Sequence, residues 1–298
     1  MKKIVCVFFC LLWAGLAGAE VVKIRPGDLT LNAHLEKAAD WPRGPVILMT
    51  HGTLAHNRME IMTTLQTLFA ERGLSSLAIN LSLGIDDRPS RMYDCEVPHR
   101  HRHEDAVTEI GQWIAWLKGQ GVKRIVLLGH SRGGNQTAWY AAEHDDPTVE
   151  RVVLVAPMTW SARYAATDYE RRYGRPLAPI LKQAESLVAA GRPETLMGPM
   201  GFIYCQDTRA TAAAVVSYYG TDPHKDTPYL LQRIGAPVQV FVGTEDSVVK
   251  GLDEKLAPLA EQGRVRLVIL DGADHFFRDL HAEDLVDAVV AFVNPAAR

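Results

Sequence analysis

The sequence predicts an α/β fold in which helices cover a mostly parallel sheet. The chief observation is alternation: from Val21 onward, short apolar runs of strand length trade places with segments whose apolar residues recur every three or four positions. The second is a break in this rhythm between Ala156 and Pro237, about 80 residues that exceed any ordinary connection. The third is composition. With 298 residues, 47% hydrophobic and 22% charged, the chain has the balance of a folded globular protein, which excludes disordered, fibrous and disulfide-built classes.

Taken in order, Val21 to Ile24 and Leu29 to His34 flank a Pro26-Gly27 turn and predict an opening hairpin. Val46 to Thr50 is a fully apolar strand ending at His51-Gly52. Ile61, Met62, Leu65, Leu68 and Phe69 share one helix face, and Gly73 closes that helix. The unit repeats with a strand at Ser76 to Leu81 and a helix carrying Ala106, Val107, Ile110, Trp113, Ile114 and Leu117. Ile125 to Leu128 is a strand running into Gly129-His130-Ser131-Arg132-Gly133-Gly134, followed by a helix from about Asn135 to Glu143 and a strand at Arg151 to Val155. Strands at Val238 to Val242 and Val265 to Leu270 bracket a helix near Leu252 to Glu261, and Leu285 to Val293 is the closing helix.

The long interruption predicts an inserted helical lid at 157–225, with helices around Leu177 to Ala190 and Thr208 to Tyr219. The core is then 20–156 and 226–298, the chain returning through a helix at Tyr229 to Ile234. Trp160, Tyr164, Tyr169, Tyr173, Tyr204, Tyr218 and Tyr219 crowd the insert, where they either line an apolar pocket or dock the lid on the core.

The first 19 residues read as a secretory signal peptide. Met1-Lys2-Lys3 precedes thirteen apolar residues from Ile4 to Leu16 and then Ala17-Gly18-Ala19, a small-residue cleavage pattern. The apolar run falls short of the roughly 20 residues that span a bilayer, and bulky Phe8 and Phe9 disfavour a lipid anchor on Cys10. The expected location is periplasmic or secreted, with no membrane insertion after cleavage. Loss of Lys2 and Lys3 reduces the 32 basic residues to 30 against 35 acidic ones, so the mature chain has no field to attract nucleic acid. Cys95 and Cys205 remain. An exported compartment permits their pairing, and a loop of about 110 residues would then stabilise by roughly 4 to 5 kcal/mol in the chain-entropy model.

Chemistry concentrates at strand ends. Gly129-His130-Ser131-Arg132-Gly133 is a G-x-S-x-G pattern in the strand-to-helix context that gives it meaning. A chain reversing that sharply brings backbone segments close, so side chains two residues either side of the serine would clash, and the hydroxyl is lifted clear of the sheet. The Arg132 backbone N–H, at the start of a helix, points where an oxyanion would form. A serine hydroxyl holds its proton too tightly to attack at neutral pH without a base oriented by an acid. Two later loops leave strands at the same sheet edge, Gly243-Thr244-Glu245-Asp246 and Asp271-Gly272-Ala273-Asp274-His275. They offer Asp246 as the acid and His275 as the base, with Glu245 and Asp274 as the alternatives for the acid and for a partner of His275.

From about Val46 to Val293 the chain resembles the α/β-hydrolase fold superfamily of serine hydrolases. The residues that carry the likeness are His51-Gly52-Thr53, Gly129-His130-Ser131-Arg132-Gly133-Gly134, Gly243-Thr244-Glu245-Asp246 and Gly272-Ala273-Asp274-His275. The resemblance implies a triad of Ser131, Asp246 and His275, a second oxyanion N–H from Thr53 beside that of Arg132, and a lid between the sixth and seventh conserved strands. It further implies a serine hydrolase that cleaves a carboxylic ester (EC 3.1.1) through an acyl-enzyme, with a small-molecule acyl substrate and no cofactor or metal, and the leader makes the expected enzyme an exported one. Thr53-Leu54-Ala55-His56 departs from the Gly-rich oxyanion loop of some lipases. A serine peptidase of short peptides, with lid residue Glu170 or Glu185 holding an amino group, is the alternative within this chemistry. A noncatalytic binding protein on the same scaffold is the alternative outside it.

Two further clusters stand apart. His99-Arg100-His101-Arg102-His103 places three histidines on one side of an extended chain, a spacing suited to a metal, yet neither a cysteine pair nor an H-E-x-x-H pattern accompanies it. Its arginines could meet an anionic group; the preferred reading is a solvated basic turn before a helix at Glu104. Asp86-Asp87 lacks the other oxygen ligands of a calcium loop and reads as a polar turn.

Overall fold

A computed structural model describes residues 20–294. The proposed signal peptide, including Cys6 and Cys10, lies outside the described residues. The chain opens with β1 (Glu20–Ile24) and β2 (Leu31–Glu36), the antiparallel hairpin predicted around Pro26-Gly27. It continues through β3 (Val46–Thr50), α1 (Glu60–Glu71), β4 (Ser75–Asn80), α2 (Asp105–Gly119), β5 (Ile125–His130), α3 (Arg132–Glu143) and β6 (Val149–Val155). After the insertion come α7 (Thr227–Leu231), β9 (Val238–Gly243), α8 (Leu252–Glu261), β10 (Arg266–Leu270) and α9 (Leu280–Val293).

These strands form one eight-stranded sheet in the order β1-β2-β4-β3-β5-β6-β9-β10. The pairings of β2 with β1 and β4 are antiparallel, and the others are parallel. Both faces are buried, so the central strands are apolar throughout and alternate between two cores. Val46 and Leu48 of β3 join the cluster under α2, α3 and α8, whereas Ile47 and Met49 join the one under α1 and α9. The stripes predicted on α1 and α2 are the faces these helices bury.

Between β6 and β9 the insertion comprises α4 (Ala162–Tyr173), α5 (Leu177–Ala189), a hairpin of β7 (Leu196–Phe202) and β8 (Cys205–Thr211), and α6 (Ala212–Tyr219). It is therefore not purely helical. The segment read as the start of a helix at Thr208 is strand until Thr211, whose hydroxyl accepts from the Ala214 N–H and caps α6. The insertion has its own core of Met197, Met200, Phe202, Ala210, Val215 and Tyr218.

Two ties join the insertion to the loop before α2. The backbone of His99 brackets β8, its N–H donating to the Arg209 carbonyl and its carbonyl accepting from the Thr211 N–H. Close by, Cys95 and Cys205 form a disulfide with their Cα atoms 5.4 Å apart.

In the oxidised protein we expect both cysteines to resist iodoacetamide until a reductant is added, and Cys205→Ser to lower unfolding free energy by roughly 2–5 kcal/mol. Peptide mapping that finds both residues alkylated without reductant would contradict the pairing.

Candidate active site

Sheet register sets the site. Thr50 of β3 lies opposite Gly129 of β5, so the segments that follow leave adjacent parallel strands in step. Thr53 and Arg132 therefore stand at equal distances past the sheet edge. Gly243 and Leu270 are paired likewise at the ends of β9 and β10, which brings the loops of Asp246 and His275 to the same edge.

Ser131 occupies the turn between β5 and α3 with φ 56° and ψ −122°, a region that L-residues avoid at a cost of about 1–3 kcal/mol. Neighbouring backbone leaves no alternative. A Cβ on Gly133 would lie 2.2 Å from the His51 carbonyl oxygen, and one on Gly129 would lie 2.4 Å from that of Gly133. The Ser131 N–H donates to Val155, and its carbonyl accepts from Gly134 and Met158. The helix begins at Arg132 without the few intervening residues that sequence reading allowed, so its first N–H groups sit directly beside the serine.

The structure brings His275 and Asp246 together. The ring Nδ1 lies 2.8 Å from Asp246 Oδ2, and the two side chains are only 7% and 3% exposed. Burial alone would raise the Asp246 carboxyl, but the hydrogen bond from His275 and those from the Val248 and Val249 N–H groups hold it below its usual range. Of the alternatives, Glu245 is exposed, and Asp274 accepts from Arg278 and the Phe276 N–H. His130 supports His275 from behind. Burial and the adjacent His275 push its imidazole down to about 3, so it is neutral, and its Nε2–H donates to the His275 carbonyl at 2.9 Å with the rings 4.8 Å apart. The Ser131 hydroxyl makes no hydrogen bond to His275. Such contacts commonly tighten only when substrate is bound.

Among the described residues no protein acceptor takes the backbone N–H of Thr53 or of Arg132. The loop presenting Thr53 is held by residues to which the sequence reading assigned no role. His51 donates to the Gly52 carbonyl and accepts from the Leu81 N–H, burial keeping its imidazole neutral. Arg88, 3% exposed, donates to the carbonyls of Leu81, Ala55 and Arg91 and to Asn80. Its guanidinium is pulled down to about 10 by burial. Glu109 accepts from the Ser82 hydroxyl and N–H, and burial lifts it to about 7. Glu109, a polar residue on the otherwise apolar stripe of α2, carried a signal in the sequence, whereas Arg88 lies in a polar loop that gave none.

A cavity of about 560 Å³ opens over Ser131, Arg132 and Thr53. All seven insertion aromatics named from the sequence line it; Tyr218 and Tyr219 also pack in a cluster with Leu54 and Tyr93 outside the insertion, whereas Tyr169 packs within it. Glu170 and Glu185 are exposed and outside it.

The solvated turn expected at 99–103 is corrected. His99, His101 and His103 are 0–1% exposed, because their shared side faces the insertion while Arg100 and Arg102 face outward. His99 Nδ1 lies 3.1 Å from His101 Nε2, and His101 Nδ1 lies 2.8 Å from the Tyr218 hydroxyl. His103 Nε2–H donates to Asn135 Oδ1, leaving Nδ1 to accept from Arg132. Burial drives all three below their ordinary value, His99 to about 4. Arg102 pairs with Glu194 at the surface. Asp86 and Asp87 tie their loop to the opening hairpin, accepting from the Thr30 N–H and from Lys23 and Asn32. Among the described residues no group of three or more His, Cys, Asp or Glu side chains is placed to hold a metal.

The Alpha/beta hydrolase family matches residues 47–291, and the chain belongs to that family. Its fold is shared by Est1E of Butyrivibrio proteoclasticus with bound ferulic acid, at TM-score 0.64 and 18% identity over 92% of this chain and 98% of that one. It is shared too by a monoacylglycerol lipase of Paleococcus ferrophilus, at TM-score 0.58 and 18% identity over 88% and 98% of the two chains. A curated Mycoplasma pneumoniae protein named "Putative esterase/lipase 3" is 45% identical over 49 residues; the match spans 16% of this chain and 18% of that protein.

Two outcomes follow. Gly133→Ala is expected to cost about 3 kcal/mol or more, because its methyl group meets backbone that cannot retreat; a wild-type denaturation midpoint would refute the steric account. Second, an imidazole held near 4 in the folded chain and 6.5 in the unfolded one stabilises above pH 6.5, and that contribution fades as pH falls toward 4. Denaturant titrations from pH 7 to 4 should therefore show His99→Phe losing roughly 1–3 kcal/mol less than the wild type. Equal slopes would refute the burial assignment.

Proposed function

We propose that the protein is an exported serine hydrolase that cleaves a carboxylic ester through an acyl-enzyme. The observation that carries this reading is the buried His275–Asp246 pair at the sheet edge from which the strained Ser131 rises beneath an aromatic-lined cavity. In the reaction His275 takes the Ser131 proton as Oγ attacks the ester carbonyl, and Asp246 stabilises the imidazolium. The open N–H groups of Thr53 and Arg132 receive the oxyanion, aided by the positive end of α3. The alcohol leaves with the proton from His275, which then activates water to release the acid.

Export is supported by the leader-like first 19 residues and by the disulfide. The peptidase alternative draws no support. Asp168 is the cavity's one acidic lining residue, and it is occupied by Arg171 and Arg172.

A fluorophosphonate probe should label Ser131 in the folded protein and not after heat denaturation, with the adduct located by peptide mass spectrometry. Ser131→Ala should abolish hydrolysis of p-nitrophenyl butyrate, and Asp246→Asn should lower kcat about 10³-fold or more. Near-wild-type turnover by Ser131→Ala would remove the assigned nucleophile. An unlabelled folded protein would favour the noncatalytic alternative.

A further inference from the structure

Resting on the proposed ester hydrolysis, we infer that the Arg132 side chain is a carboxylate-recognition element, selecting esters that carry a second, anionic carboxylate near the scissile bond. The residue after the nucleophile needs only its backbone for the oxyanion, so a guanidinium there calls for an explanation of its own. The side chain turns back over the site. Nε donates to Thr53 Oγ1 at 2.9 Å, one Nη1 hydrogen to His103 Nδ1 at 3.1 Å, and the group stands over the Tyr218 ring at 5.1 Å.

A guanidinium has five N–H donors in a fork that fits a carboxylate with two parallel bonds. These two contacts occupy two of them, and no other acceptor takes the rest among the described residues. Both acceptors are neutral, and among the described residues no carboxylate pairs with Arg132. His103 stays neutral through burial and through Arg132 itself, so its ring serves as an acceptor that fixes the fork and not as a competing cation. Asn135 holds that ring from the far side.

The surrounding cavity has the same polarity. Arg132, Arg171, Arg172, Lys250 and Lys255 line it against the one acid, Asp168, which is already shared by two of those arginines. An uncompensated cation in a half-buried, aromatic-walled site costs free energy until an anion arrives, and there its attraction is stronger than in water. Methylenes between the two carboxyl groups would lie along the aromatic walls. The reaction consumes water and yields a dicarboxylate and an alcohol.

The test compares monoethyl glutarate with ethyl valerate, acyl chains of equal length that differ in the terminal carboxylate, by pH-stat. Wild type should favour the glutarate ester at least tenfold in kcat/KM. Because Arg132→Gln touches the oxyanion residue, the quantity read is the ratio between the two esters. It should collapse toward one in Arg132→Gln and recover in part in Arg132→Lys, which keeps the charge and loses the fork. A wild-type ratio at or below one, or an equal ratio in wild type and Arg132→Gln, overturns the proposal and leaves Arg132 as a brace for Thr53. If neither ester is hydrolysed the ester-hydrolase reading fails separately, and calorimetry on the Ser131→Ala protein decides. Binding of monoethyl glutarate that weakens tenfold or more on adding Arg132→Gln supports recognition, whereas no binding, or binding that this change leaves unaltered, overturns it.

Discussion

A steric constraint governs the site: β3, β5 and the first turn of α3 approach so closely that no side chain fits between them. Gly129 and Gly133 satisfy it, and Ser131 alone in the turn carries a reactive group, held at positive φ because the hydrogen bonds of Val155, Gly134 and Met158 fix its backbone on both sides. The same closeness places the first N–H groups of α3 beside the His51-Gly52-Thr53 segment. One tight bend thus sets the serine, the helix terminus and the Thr53 loop, and each would move if the bend relaxed.

Around that bend the protein spends buried polar groups on orientation. His51 and Arg88 hold the Thr53 loop from the β4 side, and His130 holds the backbone of His275. The imidazole and guanidinium groups named here find partners, since an unpaired polar atom in this environment costs about 1–3 kcal/mol, whereas the Thr50 and Thr137 hydroxyls and His99 Nε2 are buried without one. Neutrality is part of the arrangement. Imidazoles forced below their ordinary pKa by burial can accept a hydrogen bond on one nitrogen and donate on the other, which a protonated ring cannot.

The insertion completes the cavity and is bound to the core by the loop before α2. His99 extends the β7–β8 hairpin, the disulfide fastens the same loop, and the path His99, His101, Tyr218 runs from that seam toward the Arg132 guanidinium. Lys225, buried and lowered to about 8, donates to the Ser217 and Gly220 carbonyls and so closes the end of α6. The aromatic wall therefore has a fixed attachment at the cavity floor.

Local chemistry in the sequence determined a good deal. The alternation of apolar runs sets the strand and helix order, because burial on both faces demands uninterrupted Val, Ile and Leu. Gly-x-Ser-x-Gly marks the bend, because only glycine survives the contact there. Strand-end acids and a histidine announce a partner for the serine, though Glu245 and Asp246 look alike until burial separates them. Tertiary structure decided the rest. A charged or imidazole-bearing residue reads as surface when only its own segment is considered, so the burial of His99, His101 and His103 depends on the insertion that arrives later in the chain, and that of Arg88 on β3 and β4 segments its own loop does not reveal. Strand or helix at Thr208 to Thr211 was likewise settled by pairing with β7. What the Arg132 side chain faces was fixed only when α6 and the loop before α2 closed over it, since a side chain's electrostatic surroundings are made by groups distant in sequence.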